Sequence, residues 1–150
     1  MSVVEHVATH RRGTTEYRVN ARADASGTAV IDAAGSPILF NGSWESAVEG
    51  LPGPAELLAG AFAACLLKNL SRSKALLDFE YDGAEVDVVV EREEKPPRIV
   101  SVGYTLRVTT DEPERRVELM HKNLRKFGTV YNTLAAVCDV DGSVEAVPRP

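Results

Sequence analysis

An α+β fold follows from three features of the chain. Short alternating segments fill the N-terminal third, and a long helical run occupies the middle. Two strands, further helices and a last strand follow, so strands and helices do not alternate strictly. No internal repeat, low-complexity tract or linker interrupts the sequence, and residues 1–150 read as one domain.

The elements follow in order. Tyr17, Val19 and Ala21 alternate with Arg18, Asn20 and Arg22, the pattern of a half-buried strand. Thr28 to Asp32 and Pro37 to Phe40 flank Ala33-Ala34-Gly35-Ser36, which predicts a hairpin. Gly50-Leu51-Pro52-Gly53-Pro54 is a breaker cluster, with Pro54 suited to a first helical turn. A long helix is expected from Pro54 to Leu77, apolar all round and therefore buried up to Leu67, amphipathic and surface-facing beyond Lys68. Val86, Val88 and Val90 form one apolar strand face; Val100, Val102, Tyr104, Leu106 and Val108 form another. Thr110 or Asp111 caps a second helix running through Phe127, with Val117, Met120 and Leu124 inward and His121 outward. A short helix over Thr129 to Val137 and a strand between Cys138 and Val147 complete the reading.

Composition bounds the function. The chain is 44% hydrophobic and 26% charged, ordinary for a globular protein, and its net charge of -5 argues against a nucleic-acid surface. The N-terminus shows no secretory signal, and the apolar run from Leu57 to Leu67 is too short to span a bilayer. A cytoplasmic location is therefore expected, with no membrane partner and with Cys65 and Cys138 reduced. No zinc-type cysteine set occurs, and His6 and His10, four apart outside a helix, make no ligand pair, so neither metal nor other cofactor is expected.

Cys65 is the residue to which chemistry points. It follows the small residues Ala61, Ala63 and Ala64, which permit close approach, and it shares a helix with the ionisable Glu56. From the residues alone it is either a small buried hydrophobe or a reactive thiol. Helix arithmetic adds a constraint. The nine-residue step from Glu56 to Cys65 is roughly 13 Å of rise and two and a half turns, which puts them on opposite faces. One regular helix does not easily bring both to one site.

The stretch GPAELLAGAFAACLLKNL, Gly53 to Leu70, resembles the signature of the OsmC/Ohr family: a Pro-x-Glu-Leu opening, small residues, then Ala-Ala-Cys. The later strand pair, helix and Val130 to Leu134 fall in the family's order. The resemblance implies an intertwined α+β homodimer, with antiparallel sheets packed around a long central helix carrying Cys65. It also implies reduction of organic hydroperoxides, with Cys65 as the peroxidatic thiol, Glu56 as the active-site carboxylate and an arginine from the N-terminal strands. Arg22 is the best counterpart for that arginine and Arg18 the second. A guanidinium suits the role because it is permanently charged and holds thiolate and carboxylate in fixed geometry.

One departure from the family pattern changes the chemistry. Its second cysteine opens a Cys-Pro-Val-Ser-type motif; here Gly128 and Thr129 stand in place of the cysteine and proline. A sulfenic acid on Cys65 would then need an external thiol or dithiol. Cys138, ten residues later, is read as a strand residue rather than a displaced partner. Tyr131, where the family has a small residue, either fills part of the pocket with its hydroxyl or packs in the dimer core. Phe62 and Trp44 join Arg18 and Tyr131 as candidate binding residues, Trp44 as a pocket wall or a loop anchor. Two functions from different classes remain: a one-cysteine peroxidase, and a non-enzymatic dimer that binds an apolar ligand or partner in the same cleft.

Overall fold

The computed structural model describes residues 10–11, 13–45 and 50–150; His6 lies outside them. The chain divides into two compact units, Met1–Glu56 and Leu57–Pro150.

The first unit holds β1 (His10–Arg11) paired with β2 (Thr14–Thr15), and an antiparallel sheet of β3 (Val19–Ala23), β4 (Thr28–Ala33) and β5 (Ser36–Asn41). The expected hairpin forms between β4 and β5. Its central residues, Ala34 and Gly35, have φ of 53° and 79°, the two positive angles that match a tight turn to strand twist. The turn from β3 to β4 is tied by Asp24, whose carboxylate accepts from the Ser26 and Thr28 amides at 2.9 and 3.2 Å. Register places Ala21, Ile31 and Ile38 on one face and Arg22, Val30 and Leu39 on the other. The half-buried strand expected around Tyr17 begins at Val19 instead, and all of β3 is exposed in the single chain.

The second unit contains most of helix α1 (Pro54–Leu77), then β6 (Gly83–Glu94), β7 (Pro97–Thr109), α2 (Glu114–Phe127), α3 (Thr129–Ala135) and β8 (Asp139–Val147). Val86, Val88 and Val90 lie opposite Leu106, Tyr104 and Val102 across β6 and β7, so the two predicted apolar faces merge into one inner face. The sheet is mixed rather than antiparallel throughout. β8 runs parallel to β7, because α2 and α3 form the crossover that a parallel connection needs. Phe62, Leu66 and Leu70 of α1, the β7 row, and Val117, Met120 and Leu124 of α2 make the core.

Two expectations about the helices are corrected. α1 is not buried all round at its start: only Phe62, Leu66, Leu70 and Ser73 are buried, while Ala61, Ala64 and Leu67 stay exposed. These four recur at spacings of three or four, one stripe facing one core. α2 begins at Glu114, after Pro113, with no side-chain cap. Thr110 instead donates to the Glu80 carbonyl at 2.5 Å and accepts from the Glu112 amide at 3.1 Å.

Candidate active site around Cys65

Cys65 lies half-buried on α1 as a free thiol, and Cys138 is also free. Two neighbours define the surroundings of its sulfur. The Asn69 amide nitrogen donates to the Cys65 carbonyl at 2.9 Å and lies 3.6 Å from Sγ. Residues four apart on a helix stack on one face, so the sequence puts this amide over the cysteine. That spacing was the available signal for Asn69, which the sequence analysis passed over.

The second neighbour is Gly128, the residue standing where the family has its second cysteine. It is buried between α2 and α3. A Cβ placed on it would lie 3.3 Å from Cys65 Sγ, 2.8 Å from the Tyr131 Cβ and 2.9 Å from the Leu124 carbonyl oxygen. The position that the family resemblance matches to a second cysteine is thus a spatial neighbour of Cys65. The close packing also explains why a residue without a side chain fits there. Cys138, by contrast, donates its thiol to the Leu134 carbonyl at 3.2 Å and packs against the core.

The remaining predicted residues fall into distinct environments. Glu56 is exposed in the first turn of α1, and its carboxylate accepts from the Gly53 amide at 3.2 Å. This is the reaching-back half of a capping box, a structural task independent of chemistry. Arg22 lines an open depression of about 420 Å³ on the first unit's sheet, with Ala23, Asp24, Thr28, Ala29, Val30 and Leu39. Among the described residues Arg22 has no ion-pair partner, whereas Arg18, also exposed, pairs with Glu16. Trp44 is 99% exposed. Phe62 is fully buried, its ring centroid 5.7 Å from those of both Tyr104 and Tyr131. Tyr131 therefore packs its ring into the core of its own unit. Among the described residues no group of three or more His, Cys, Asp or Glu gathers as a metal site, and no helix is long and apolar enough to cross a membrane.

His121 does not point outward as expected. It is half-buried, its Nε2 lying 2.7 Å from the Tyr104 hydroxyl. Arg125 Nε donates to the same hydroxyl at 3.3 Å, and its terminal nitrogen donates to the Gly142 carbonyl at 3.0 Å. Tyr104 reaches this position by lying over Gly142, where a Cβ would come within 2.3 Å of the ring. The legible signal was the four-residue spacing of His121 and Arg125 along one face of α2.

A thiol-bearing helix laid against a strand layer, with a second helix pair closing over the sulfur, defines an α+β class of protein. The chain belongs to the OsmC-like protein family, whose match spans residues 47–142. No curated protein matches it significantly in sequence. Among solved structures it is similar to the OsmC-like protein of Mycoplasma pneumoniae, with 14% identity, 90% of this chain and 98% of that chain covered, and a TM-score of 0.76. It is also similar to the organic hydroperoxide resistance protein OhrB of Bacillus subtilis, at 18% identity, covering 85% of this chain and 96% of that chain with a TM-score of 0.64. The organic hydroperoxide resistance protein of Elizabethkingia anophelis aligns at 14% identity over 89% and 99% of the two chains, with a TM-score of 0.68. At identities this low the structural likeness shows the fold alone.

Proposed function

We propose that this chain is a cytoplasmic one-cysteine peroxidase of the oxidative stress response, acting on small organic hydroperoxides through Cys65. The observation that carries the proposal is the half-buried free thiol of Cys65, with the Asn69 amide 3.6 Å from its sulfur, in a chain of this family. The Cys65 thiolate attacks the terminal peroxide oxygen, the O–O bond breaks, and the departing alkoxide takes a proton to leave as an alcohol. Cys65 is left as a sulfenic acid. An external thiol then attacks that sulfur and releases water, and a second thiol frees Cys65 and leaves as a disulfide. Gly128 supports the external route, because the position beside Sγ carries no second sulfur.

The working form in this reading is a homodimer in which residues 1–150 make a single OsmC-like domain per subunit. Glu56 from one subunit and Cys65 from the other share a pocket, and Arg22, with Arg18 second, supplies the cation. Exposed apolar side chains support it: Val19 and Ile38, which share one face of the first unit's sheet, and Leu67 on α1, positions that a second copy would cover. Trp44, fully exposed in the single chain, serves as a wall of that pocket, with Tyr131 at its base and Phe62 packed behind Tyr131 in the core.

Gly128 also favours a second reading, a non-enzymatic dimer that binds an apolar ligand in the same cleft without turning over. Steady-state consumption of cumene hydroperoxide, with a monothiol or a dithiol as reductant, separates the two. The proposal expects turnover that persists in Cys138→Ser and vanishes in Cys65→Ser. Equal rates in wild type and Cys65→Ser refute it.

A further inference from the structure

The cluster of Tyr104, His121 and Arg125 lies in the second unit, and the chemistry at Cys65 does not use it. It joins three elements: Tyr104 from β7, His121 and Arg125 from α2, and the Gly142 carbonyl from β8. Its hydrogen bonds have a direction. A guanidinium only donates, so the Tyr104 oxygen accepts from Arg125 Nε at 3.3 Å. The nearer partner of that hydroxyl is His121 Nε2 at 2.7 Å. When the phenol proton is given to that nitrogen, the imidazole is neutral with its own proton on Nδ1.

We propose that Tyr104, His121 and Arg125 form a proton-released latch that ties α2 and β8 to β7 at neutral pH and lets go in mild acid. A proton on His121 Nε2 would remove the acceptor of the Tyr104 hydroxyl proton and place a second cation beside Arg125. The surroundings offer that cation little compensation. Tyr104 faces it from β7, and Tyr131 from α3 approaches through Tyr104. Asp141 on β8 acts on Arg125 rather than on the imidazole. Among the described residues no carboxylate forms an ion pair with His121. Burial first, and the Arg125 charge second, hold the imidazole below its ordinary range. The Tyr104 hydroxyl is raised by burial and so remains protonated as a donor throughout.

The consequence reaches the core. The Tyr104 ring touches Phe62 on α1 and Tyr131 on α3, with centroids 5.7 and 6.3 Å away, and lies over Gly142. Releasing its hydroxyl frees the side chain that helix and crossover strand both grip.

The sign is fixed by linkage. The folded-state pKa of His121 lies below the unfolded value, so the unfolded chain binds more protons in the window between them. Latch stability is complete above about pH 6.5, the ordinary imidazole value, and is lost as pH falls toward the folded pKa.

The test is nitrogen-15 NMR of wild-type protein from pH 7.5 to 5, combined with amide exchange corrected for its intrinsic pH dependence. The latch predicts a bare Nε2 on His121 at pH 7.5. It also predicts that protection in α2 and at the start of β8 falls further on acidification in wild type than in Tyr104→Phe or His121→Gln. If either variant fails to fold, the wild-type imidazole spectrum decides alone. A proton found on Nε2 at pH 7.5, or protection that falls equally in all three proteins, overturns the proposal.

Discussion

Replacing Gly128 with cysteine tests the geometry next to Cys65 most sharply. The new Cβ would lie 3.3 Å from Cys65 Sγ, close enough for the two sulfurs to bond after a small adjustment. The same Cβ would press on the Tyr131 Cβ at 2.8 Å and the Leu124 carbonyl at 2.9 Å. These are a side-chain root and a backbone atom, neither of which swings away cheaply. Overpacking of this kind costs about 1–3 kcal/mol. Reduced Gly128→Cys should therefore unfold at lower denaturant by that margin, with an unchanged m-value. Under one equivalent of organic hydroperoxide it should form a disulfide to Cys65, detected by peptide mapping after thiol blocking. The bond joins positions 63 apart in sequence, so oxidation should return about 2–4 kcal/mol and offset the overpacking cost. A folded variant that forms no such disulfide would refute the placement of Gly128 beside the sulfur. Unchanged stability in the reduced form would refute the packing argument.

Other outcomes follow from the same contacts. Gly142→Ala should destabilise more than Gly128→Ala in thermal unfolding, because its Cβ meets the Tyr104 ring at 2.3 Å and the ring is gripped from three sides. Leu66→Ala, which empties a buried site in the stripe of α1, should cost about 2–5 kcal/mol by urea titration. Glu112 is held below the usual carboxylate range by Arg116 and by the Glu80 amide. Its contribution is present above the unfolded pKa and lost as pH falls through the folded one, so Glu112→Gln should flatten the acid limb of stability below about pH 4.5. In sedimentation equilibrium, wild type should run as a dimer and Leu67→Glu should shift toward monomer.

Much of the second unit was legible because each element there has one apolar face and one core to meet. Val86, Val88 and Val90 and the Val102 to Val108 row show period two, while Val117, Met120 and Leu124 show the helical period. The parallel course of β8 was not legible. Direction depends on the path of the crossover, and an alternating strand reads the same both ways. α1 misled for a related reason: composition reports that a surface is apolar, not which partner covers it. Phe62, Leu66 and Leu70 meet this chain's core, whereas Ala61, Ala64 and Leu67 do not. At the candidate site, the family-like motif located Cys65, and counting along it located Gly128. Asn69 carries no motif and His121 reads as outward-facing, because a polar residue on a helix is ordinarily solvated. Their contacts depend on the residue four positions away and on a strand distant in sequence.

The peroxidase account rests on the reactivity of one sulfur. Its most direct test is mass spectrometry of intact and digested protein after brief exposure to stoichiometric cumene hydroperoxide, with a dimedone-type probe to trap sulfenic acid. The account predicts rapid labelling at Cys65, little at Cys138, and loss of the label when a dithiol precedes the probe. A folded protein in which Cys65 stays reduced under excess hydroperoxide would contradict it.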